Sequence, residues 1–186
     1  VGTGTVIKIY YVKDDSQTQA TSYTVKHVVD GKEMTEDTRT YTGTAWINEE
    51  NPTIIVKTGS LAKNTYEGYK FDSIDPSDAK EGNTVASGST ITLNYVKDEE
   101  QTKPVSYRVE YYKDKVLVDE DSYTKTKTVW VNDPDEIAIE NDIDVSEKKY
   151  VGYKLDSTEP EQVPAEGDKV GTGTVIKIYY VKDDSQ

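Results

Sequence analysis

Carboxylates are the most abundant residues of this chain that could do chemistry. Asp and Glu together number 35, and four of them are spaced like the oxygen ligands of a calcium loop. These four are Asp72, Asp75, Asp78 and Glu81. The matching residues in the second half of the chain, which keep the charge but not the spacing, are Asp156, Glu159, Glu161 and Glu166. Neither set follows the EF-hand pattern, so we predict no cofactor and keep calcium as the alternative.

Catalytic residues are not indicated either. Hydrolysis of a glycosidic bond needs a carboxyl group whose pKa is raised by burial, whereas the Asp and Glu residues here lie in polar, loop-like sequence. His27 is the only histidine, and Tyr111 takes its place in the second half, which predicts a half-buried aromatic position. Cysteine is absent, and neither Gly-x-Ser-x-Gly nor a phosphate-binding glycine loop occurs. We therefore predict a protein that is not an enzyme, with no catalytic or metal-binding residues, and we name no ligand-binding residue.

Two tryptophans, Trp46 and Trp130, occupy matching positions and allow two interpretations. Exposed aromatic residues often contact carbohydrates or proteins. A tryptophan at the same strand position in both halves is more simply the largest side chain of a small core, and we predict that role.

Threonines alternate along the strands that contain these tryptophans, at 38, 40, 42 and 44 and again at 124, 126 and 128. We attribute this alternation to the ordinary preference of threonine for strands.

These residues recur in register because the chain is built from repeats. Residues 1–17 and 170–186 are the same string, VGTGTVIKIYYVKDDSQ, and a diverged copy lies at 87–101. The Tyr-Val-Lys-Asp tetrad begins at Tyr11, Tyr95 and Tyr180, which are 84 and 85 residues apart. A fixed period of this kind marks a tandem array of one structural unit.

The period predicts two domains, 18–101 and 102–186. Residues 1–17 would then be the terminal strand and linker of a preceding repeat. The polar segments 13–21 and 97–105 resemble linkers of equal length. Alternatively, the strand before each polar segment forms a hairpin with the strand after it.

Periodicity within each repeat predicts a mainly β fold. In Val6–Val12, Ile7, Ile9 and Tyr11 form one apolar face, and the residues between them vary among the copies, as in a half-buried strand. Further strands are predicted from Ser22, over 36–48, and over 66–73 with its equivalent 150–157. Asp30-Gly31 predicts a hairpin turn after the strand that begins at Ser22. Residues 49–63 predict a short strand or a single helical turn, so an α+β fold with a short helix is the alternative.

Composition excludes several classes of partner. The net charge is −13 with only two arginines, which disfavours nucleic acid and anionic membranes. No apolar run approaches the ~20 residues of a membrane span, so we predict no membrane insertion. Acidic, cysteine-free repeats rich in Lys, Thr and Tyr are typical of exported bacterial surface proteins.

Three short motifs carry a resemblance to a known family. Tyr-x-Val-x-(His/Tyr) occurs at 23–27 and 107–111, and Gly-Tyr-Lys-(Phe/Leu)-Asp-Ser at 68–73 and 152–157. Ile-x-(Ile/Leu)-x-Tyr-Val-Lys-Asp closes the units at 91–98 and 176–183. Over nearly the whole of both units the chain resembles mucin-binding-protein (MucBP) repeats and the streptococcal SHIRT tandem repeats of Gram-positive cell-wall adhesins.

The resemblance implies two β-grasp-like (ubiquitin-like) domains in which the first and last strands lie parallel in the middle of the sheet. Copies joined head to tail would then form an elongated rod, each touching only its neighbours. We predict a monomeric, extracellular spacer of a cell-wall-anchored adhesin, whose partners are the neighbouring repeats. The alternative is a module that binds host glycans, mucin or a host protein.

Overall fold

The computed structural model describes residues 2–185, and the chain divides into two compact units, Val1–Asp98 and Glu99–Gln186. The first unit contains seven strands and one 3-10 turn at Thr35–Asp37. The strands are β1 (Thr18–Val29), β2 (Lys32–Glu33), β3 (Arg39–Trp46), β4 (Thr53–Ile55), β5 (Tyr69–Asp75), β6 (Thr84–Ala86) and β7 (Ser89–Lys97). Five of them form one sheet, and β4 pairs with β6 in a separate ribbon.

The main sheet is built around its longest strand, β1. On one side β1 pairs antiparallel with β3, and with β2 through the turn at Asp30 and Gly31, whose φ values of 49° and 79° fit the predicted Asp-Gly hairpin. On the other side it pairs parallel with β7, from Tyr23 opposite Ser89 to Val29 opposite Tyr95. Strand β5 closes the other edge by antiparallel pairing with β7.

The second unit repeats this arrangement. Its strands are β8 (Thr102–Lys113), β9 (Val116–Leu117), β10 (Tyr123–Trp130), β11 (Glu136–Ala138), β12 (Tyr153–Glu159), β13 (Lys169–Gly171) and β14 (Thr174–Lys182). A 3-10 turn covers Asp119–Asp121. Strand β14 lies between β12, antiparallel, and β8, parallel, with Ile178 opposite Tyr111. The fold is mainly β, and its central parallel pair is the one that the resemblance implied.

Alternating apolar residues explain the cores. In the central strands every second side chain is buried, as the period-two pattern predicts. The first core has Tyr23, Val25, Val29, Ile54, Val56, Ala79, Ile91, Leu93 and Tyr95 as its buried members. The second has Val105, Tyr107, Val109, Tyr111, Val118, Ile137, Ile139, Ile143, Ile176, Ile178 and Tyr180.

Several predicted boundaries were wrong. The polar segments interpreted as linkers, 13–21 and 97–105, contain the first residues of β1 and β8, because Thr18–Thr21 and Thr102–Val105 pair with the hairpin strands β3 and β10. The strand predicted over 36–48 is preceded by a 3-10 turn and spans only β3, and that predicted from residue 66 begins at Tyr69. By contrast, residues 49–63 contain the three-residue strand β4, which confirms the predicted short strand.

That residues 1–17 are the terminal strand and linker of a preceding repeat stays a prediction. Over the described residues 2–16 no strand is present, and Ile7, Ile9 and Tyr11 are 72%, 74% and 90% exposed. A strand needs neighbours to pair with, and the central position in the first unit is held by β7. Within residues 2–185, no helix has the length and apolar character needed to cross a membrane.

Candidate functional site

His27 is a core residue. It is 5% exposed, and its Nδ1 lies 3.0 Å from the Tyr95 hydroxyl, with the two rings stacked at 5.8 Å between centroids. Burial lowers the pKa of His27, an effect that Asp37 partly opposes. Tyr111 occupies the same place in the second unit and donates its hydroxyl to the Asp144 carbonyl at 2.8 Å. The aromatic position was predicted correctly, although it is fully rather than half buried.

The carboxylates do not gather into a metal site in the described part of the chain. Asp72, Asp75, Asp78 and Glu81 are all exposed, and the Glu81 carboxylate accepts the Leu61 amide at 3.1 Å. Residues 2–185 contain no group of three or more His, Asp or Glu side chains that could hold an ion.

Trp46 and Trp130 are not core residues, contrary to prediction. Both are half-buried, and neither belongs to the buried clusters of residues 2–185. Each ends a hairpin strand and pairs with the first residue of the long strand, Thr18 or Thr102, beyond the stretch that covers the core. The Nζ of Lys13 lies 5.0 Å from the Trp46 ring centroid. The neighbouring threonines 40, 42 and 44, and 124, 126 and 128, are exposed.

The feature that both units build identically is the attachment of the closing strands, β7 and β14. At the start of each, a glycine N–H donates to a serine carbonyl, Gly88 to Ser22 at 2.7 Å and Gly173 to Ser106 at 2.8 Å. At the far end, the carbonyls of Tyr95 and Tyr180 each accept an aspartate N–H at 2.9 Å. Between these points, seven residue pairs run in parallel register in each unit. The first and last strands are thus held together along their shared length.

Tyrosine hydroxyls attach the loops to this frame. The Tyr66 hydroxyl donates to Asp37 at 2.6 Å, and its equivalent, Tyr150, donates to Asp121 at the same distance. Burial, reinforced by the Asp37 bond, raises the pKa of Tyr66 to about 12. Both rings meet the last tyrosine of the closing strand edge to face, at 4.9 Å and 5.0 Å between centroids.

The parallel pair determines where the chain enters and leaves each unit. In the first unit, eleven residue steps separate Thr18 from Val29, and Lys97 lies two steps beyond Tyr95, the partner of Val29. At ~3.3 Å per step, entry and exit are about 43 Å apart along the sheet. Thr102 and Lys182 of the second unit have the same offset, since Lys113 is the partner of Tyr180.

One surface belongs to the second unit alone. On the outer face of its sheet, the rings of Tyr112 and Tyr179 stack 5.0 Å apart at 25°. They line an open depression of about 580 Å³, whose other lining residues are Lys115, Asp156, Ser157, Glu159, Lys177, Tyr180 and Val181. Tyr112 donates a hydrogen bond to Glu110, which raises the pKa of Tyr112 to about 12. The matching residues of the first unit are Val28 and Asn94, so this aromatic surface is not shared.

Sequence reasoning missed this surface because it treated the outer face of the closing strand as freely variable. Tyr112 and Tyr179 are 67 positions apart in the chain, and only the parallel register makes them opposite neighbours. The signal that could have identified it was a pair of adjacent tyrosines in each strand, Tyr111–Tyr112 and Tyr179–Tyr180, which places one ring on each face of the sheet.

No family model matches the chain, and no curated protein matches it. Among solved structures, the chain is similar to the crystal structure of Mub-RV, at 15% sequence identity and a TM-score of 0.27. The match covers 88% of this chain and 99% of that one. This TM-score is too low for the likeness to establish a common fold.

Proposed function

We propose that the chain is a non-enzymatic spacer of a bacterial surface adhesin, which holds a distal binding domain away from the cell wall. The observation that carries the proposal is the central parallel pair in each unit, which puts entry and exit about 43 Å apart. The setting is extracellular, in a wall-anchored parent protein, with neighbouring repeats as the partners of each unit.

Folded repeats serve this role better than a flexible chain of the same length. The span of a flexible linker grows only as the square root of its residue number, whereas repeats that touch only their neighbours add their lengths. The net charge of −13 supports an extended and soluble stalk through self-repulsion.

The parallel pair also suits a stalk under tension. Pulling at Thr18 and Lys97 draws β1 and β7 in opposite directions along their length, which loads the hydrogen bonds between them together. An antiparallel hairpin pulled at its two ends would instead open one bond at a time. The parallel pair of β1 and β7 therefore resists the load that an adhesin stalk carries.

Force spectroscopy on the full chain, held at its two ends, tests this proposal. Each unit has about 80 residue steps between entry and exit, which span ~280 Å when extended, so unfolding adds about 240 Å beyond the folded 43 Å. We expect two separate steps of that size. A smooth extension, or release in many small steps at low force, would overturn the spacer role.

A second candidate function rests on the Tyr112–Tyr179 surface. Stacked aromatic rings beside carboxylates and lysines are typical of carbohydrate and protein contacts. In this case the second unit binds a host glycan, mucin or a host protein. Saturable binding on a glycan array or to immobilised mucin, lost in Tyr179→Ala but kept in Tyr10→Ala, would support it. Tyr10 is a matched control because it precedes the same Tyr-Val-Lys-Asp tetrad but is 81% exposed.

A further inference from the structure

The hairpin strand β3 leaves one of its edges free. The Ile47 N–H donates to the Gln17 carbonyl at 2.9 Å, so alternate residues of β3 point their backbone groups at β1 and the residues between them point theirs outward. The outward residues are Thr40, Thr42 and Thr44. Among residues 2–185, β3 pairs with no strand besides β1, and an unpaired edge of this kind accepts a further strand.

Side-chain contacts close this edge at both ends. The Arg39 guanidinium donates to the Thr38 carbonyl at 2.9 Å, and the Gln19 side-chain amide donates to the Trp46 carbonyl at 3.0 Å. The open stretch between these contacts is matched by a peptide of about five residues in the extended conformation.

A depression of about 460 Å³ adjoins the open edge, between β3 and the ribbon of β4 and β6. Gly43 makes room for it, because a Cβ at this position would lie 3.1 Å from the Thr21 hydroxyl and 3.2 Å from the Ile54 side chain. The Thr21 hydroxyl is buried and has no hydrogen-bond partner within residues 2–185. Ile55, which is 60% exposed, adds an apolar wall. The depression can therefore receive one side chain of an added strand.

The charge of the depression favours an acidic side chain. Among the described residues that line it, Lys57 alone is charged, and its Nζ lies 6.0 Å from the Tyr41 ring centroid. Glu140 holds the equivalent place in the second unit, because each of the two amides donates to the hydroxyl of the matching tyrosine in the first strand of its unit. The Glu140 carboxylate pairs with Lys125 at 2.9 Å. An incoming carboxylate would give Lys57 the opposite charge that Lys125 gives Glu140.

The second unit has the same edge but protects it. Among the described strands β10 pairs only with β8, although another repeat precedes this unit, so the free edge belongs to the repeat itself. Lys125 and Lys127 stand on β10 where the first unit has Tyr41 and Gly43, and lysines on an edge strand oppose the addition of a further strand. The first unit has no such protection at these two positions.

We propose that the β3 edge of the first unit binds an extended, acidic segment of another protein as an added strand. The backbone of the segment pairs with Thr40, Thr42 and Thr44, and one of its carboxylates binds Lys57 across the depression. Charge disfavours a second copy of this chain as the occupant, since two chains of net charge −13 repel each other. The proposal does not depend on the spacer role, because an added strand leaves the β1–β7 pair in place.

NMR titration of the isotopically labelled full chain against a defined peptide tests the proposal. The probe is an octapeptide of alternating valine and glutamate, the glutamate peptide. We expect saturable binding of one peptide per chain, with slower amide exchange at Thr42 and Thr44, because the added strand supplies acceptors for their outward N–H groups. Exchange at the equivalent Thr126 and Thr128 of the second unit should not change.

Two control octapeptides separate charge from backbone pairing. The lysine peptide has lysine in place of glutamate, and the proline peptide has proline in place of valine, which removes N–H donors. Both should bind at least ~10-fold more weakly than the glutamate peptide.

A double variant tests the edge. Thr21→Val/Gly43→Lys gives the first unit the pair of residues that the second unit already folds with, Val105 and Lys127. This variant should keep a cooperative melting transition and bind the glutamate peptide at least ~10-fold more weakly.

A charge reversal tests the depression without touching the core. Lys57→Glu should weaken binding of the glutamate peptide by ~5-fold and strengthen binding of the lysine peptide by a similar factor. Lys32→Glu is the matched control, because it makes the same change of charge on β2, outside the depression, and it should leave both affinities unchanged within about twofold.

Several results would overturn the proposal. They are no binding of the glutamate peptide, binding without slower exchange at Thr42 and Thr44, equal binding of the lysine or proline peptide, and equal effects of Lys57→Glu and Lys32→Glu. Dimers of the unmodified chain that protect Thr42 and Thr44 without any peptide would also contradict it, because the occupant would then be a second copy.

Discussion

Ile178→Ala and Ile9→Ala make the same change within the same local sequence but in opposite surroundings. Ile178 is 0% exposed in the core of the second unit, and Ile9 is 74% exposed. Removing a buried isoleucine side chain down to alanine costs ~2–5 kcal/mol, the lost transfer free energy plus the cavity that remains. An exposed substitution of this kind changes stability by within ~0.5 kcal/mol.

For a unit of this size, each 1 kcal/mol lowers the melting temperature by ~4–8 °C. A loss of about 3 kcal/mol therefore predicts a decrease of roughly 12–24 °C for the second unit of Ile178→Ala. Ile9→Ala should leave the melting temperature of both units unchanged within about 4 °C.

The assay uses the two tryptophans to separate the units. With Trp46 replaced by phenylalanine, Trp130 fluorescence follows the second unit alone. Equal destabilisation by both substitutions, or none by Ile178→Ala, would refute the assignment of β14 as the core strand of the second unit.

Three further predictions concern positions where the units differ. Thr21 has a buried hydroxyl that lacks a hydrogen-bond partner within the described residues, and Val105 replaces it in the second unit, so Thr21→Val should stabilise the first unit by ~1 kcal/mol in urea unfolding. Burial lowers the pKa of His27, so the unfolded state binds the proton more readily and the stability of the first unit should fall as pH drops below ~6.5. In melting measurements at several pH values, His27→Tyr should abolish this dependence of stability on pH. An unchanged dependence in His27→Tyr would contradict the prediction. Lys115 has a φ of 70° where the first unit has Gly31, so Lys115→Gly should stabilise the second unit by up to ~1 kcal/mol and Gly31→Lys should destabilise the first, as thermal unfolding would show.

The local alternation of apolar and polar residues was enough to predict the central strands. Ile91, Leu93 and Tyr95 alternate with polar residues, and all three are buried as expected, because the side-chain period of a strand is local information. The turn at Asp30 and Gly31 was predicted for the same reason, since positive φ at both residues depends on residue type.

The features that the sequence could not predict depend on pairing between strands that are far apart in the chain. Thr18–Thr21 are mostly polar, yet they extend β1 because β3 pairs with them, and the same pairing places Trp46 beyond the core. The two copies of one string give the plainest case, since identical residues are a core strand at one end and exposed at the other. The Tyr112–Tyr179 surface likewise exists only because of register.

Small-angle X-ray scattering of the full chain in dilute solution tests the central claim most directly. If each unit carries the chain across about 43 Å and the lengths of the two units add, the maximum dimension of the chain is at least about 85 Å. Two units folded back beside each other, with a maximum dimension near that of one unit, would contradict the spacer role.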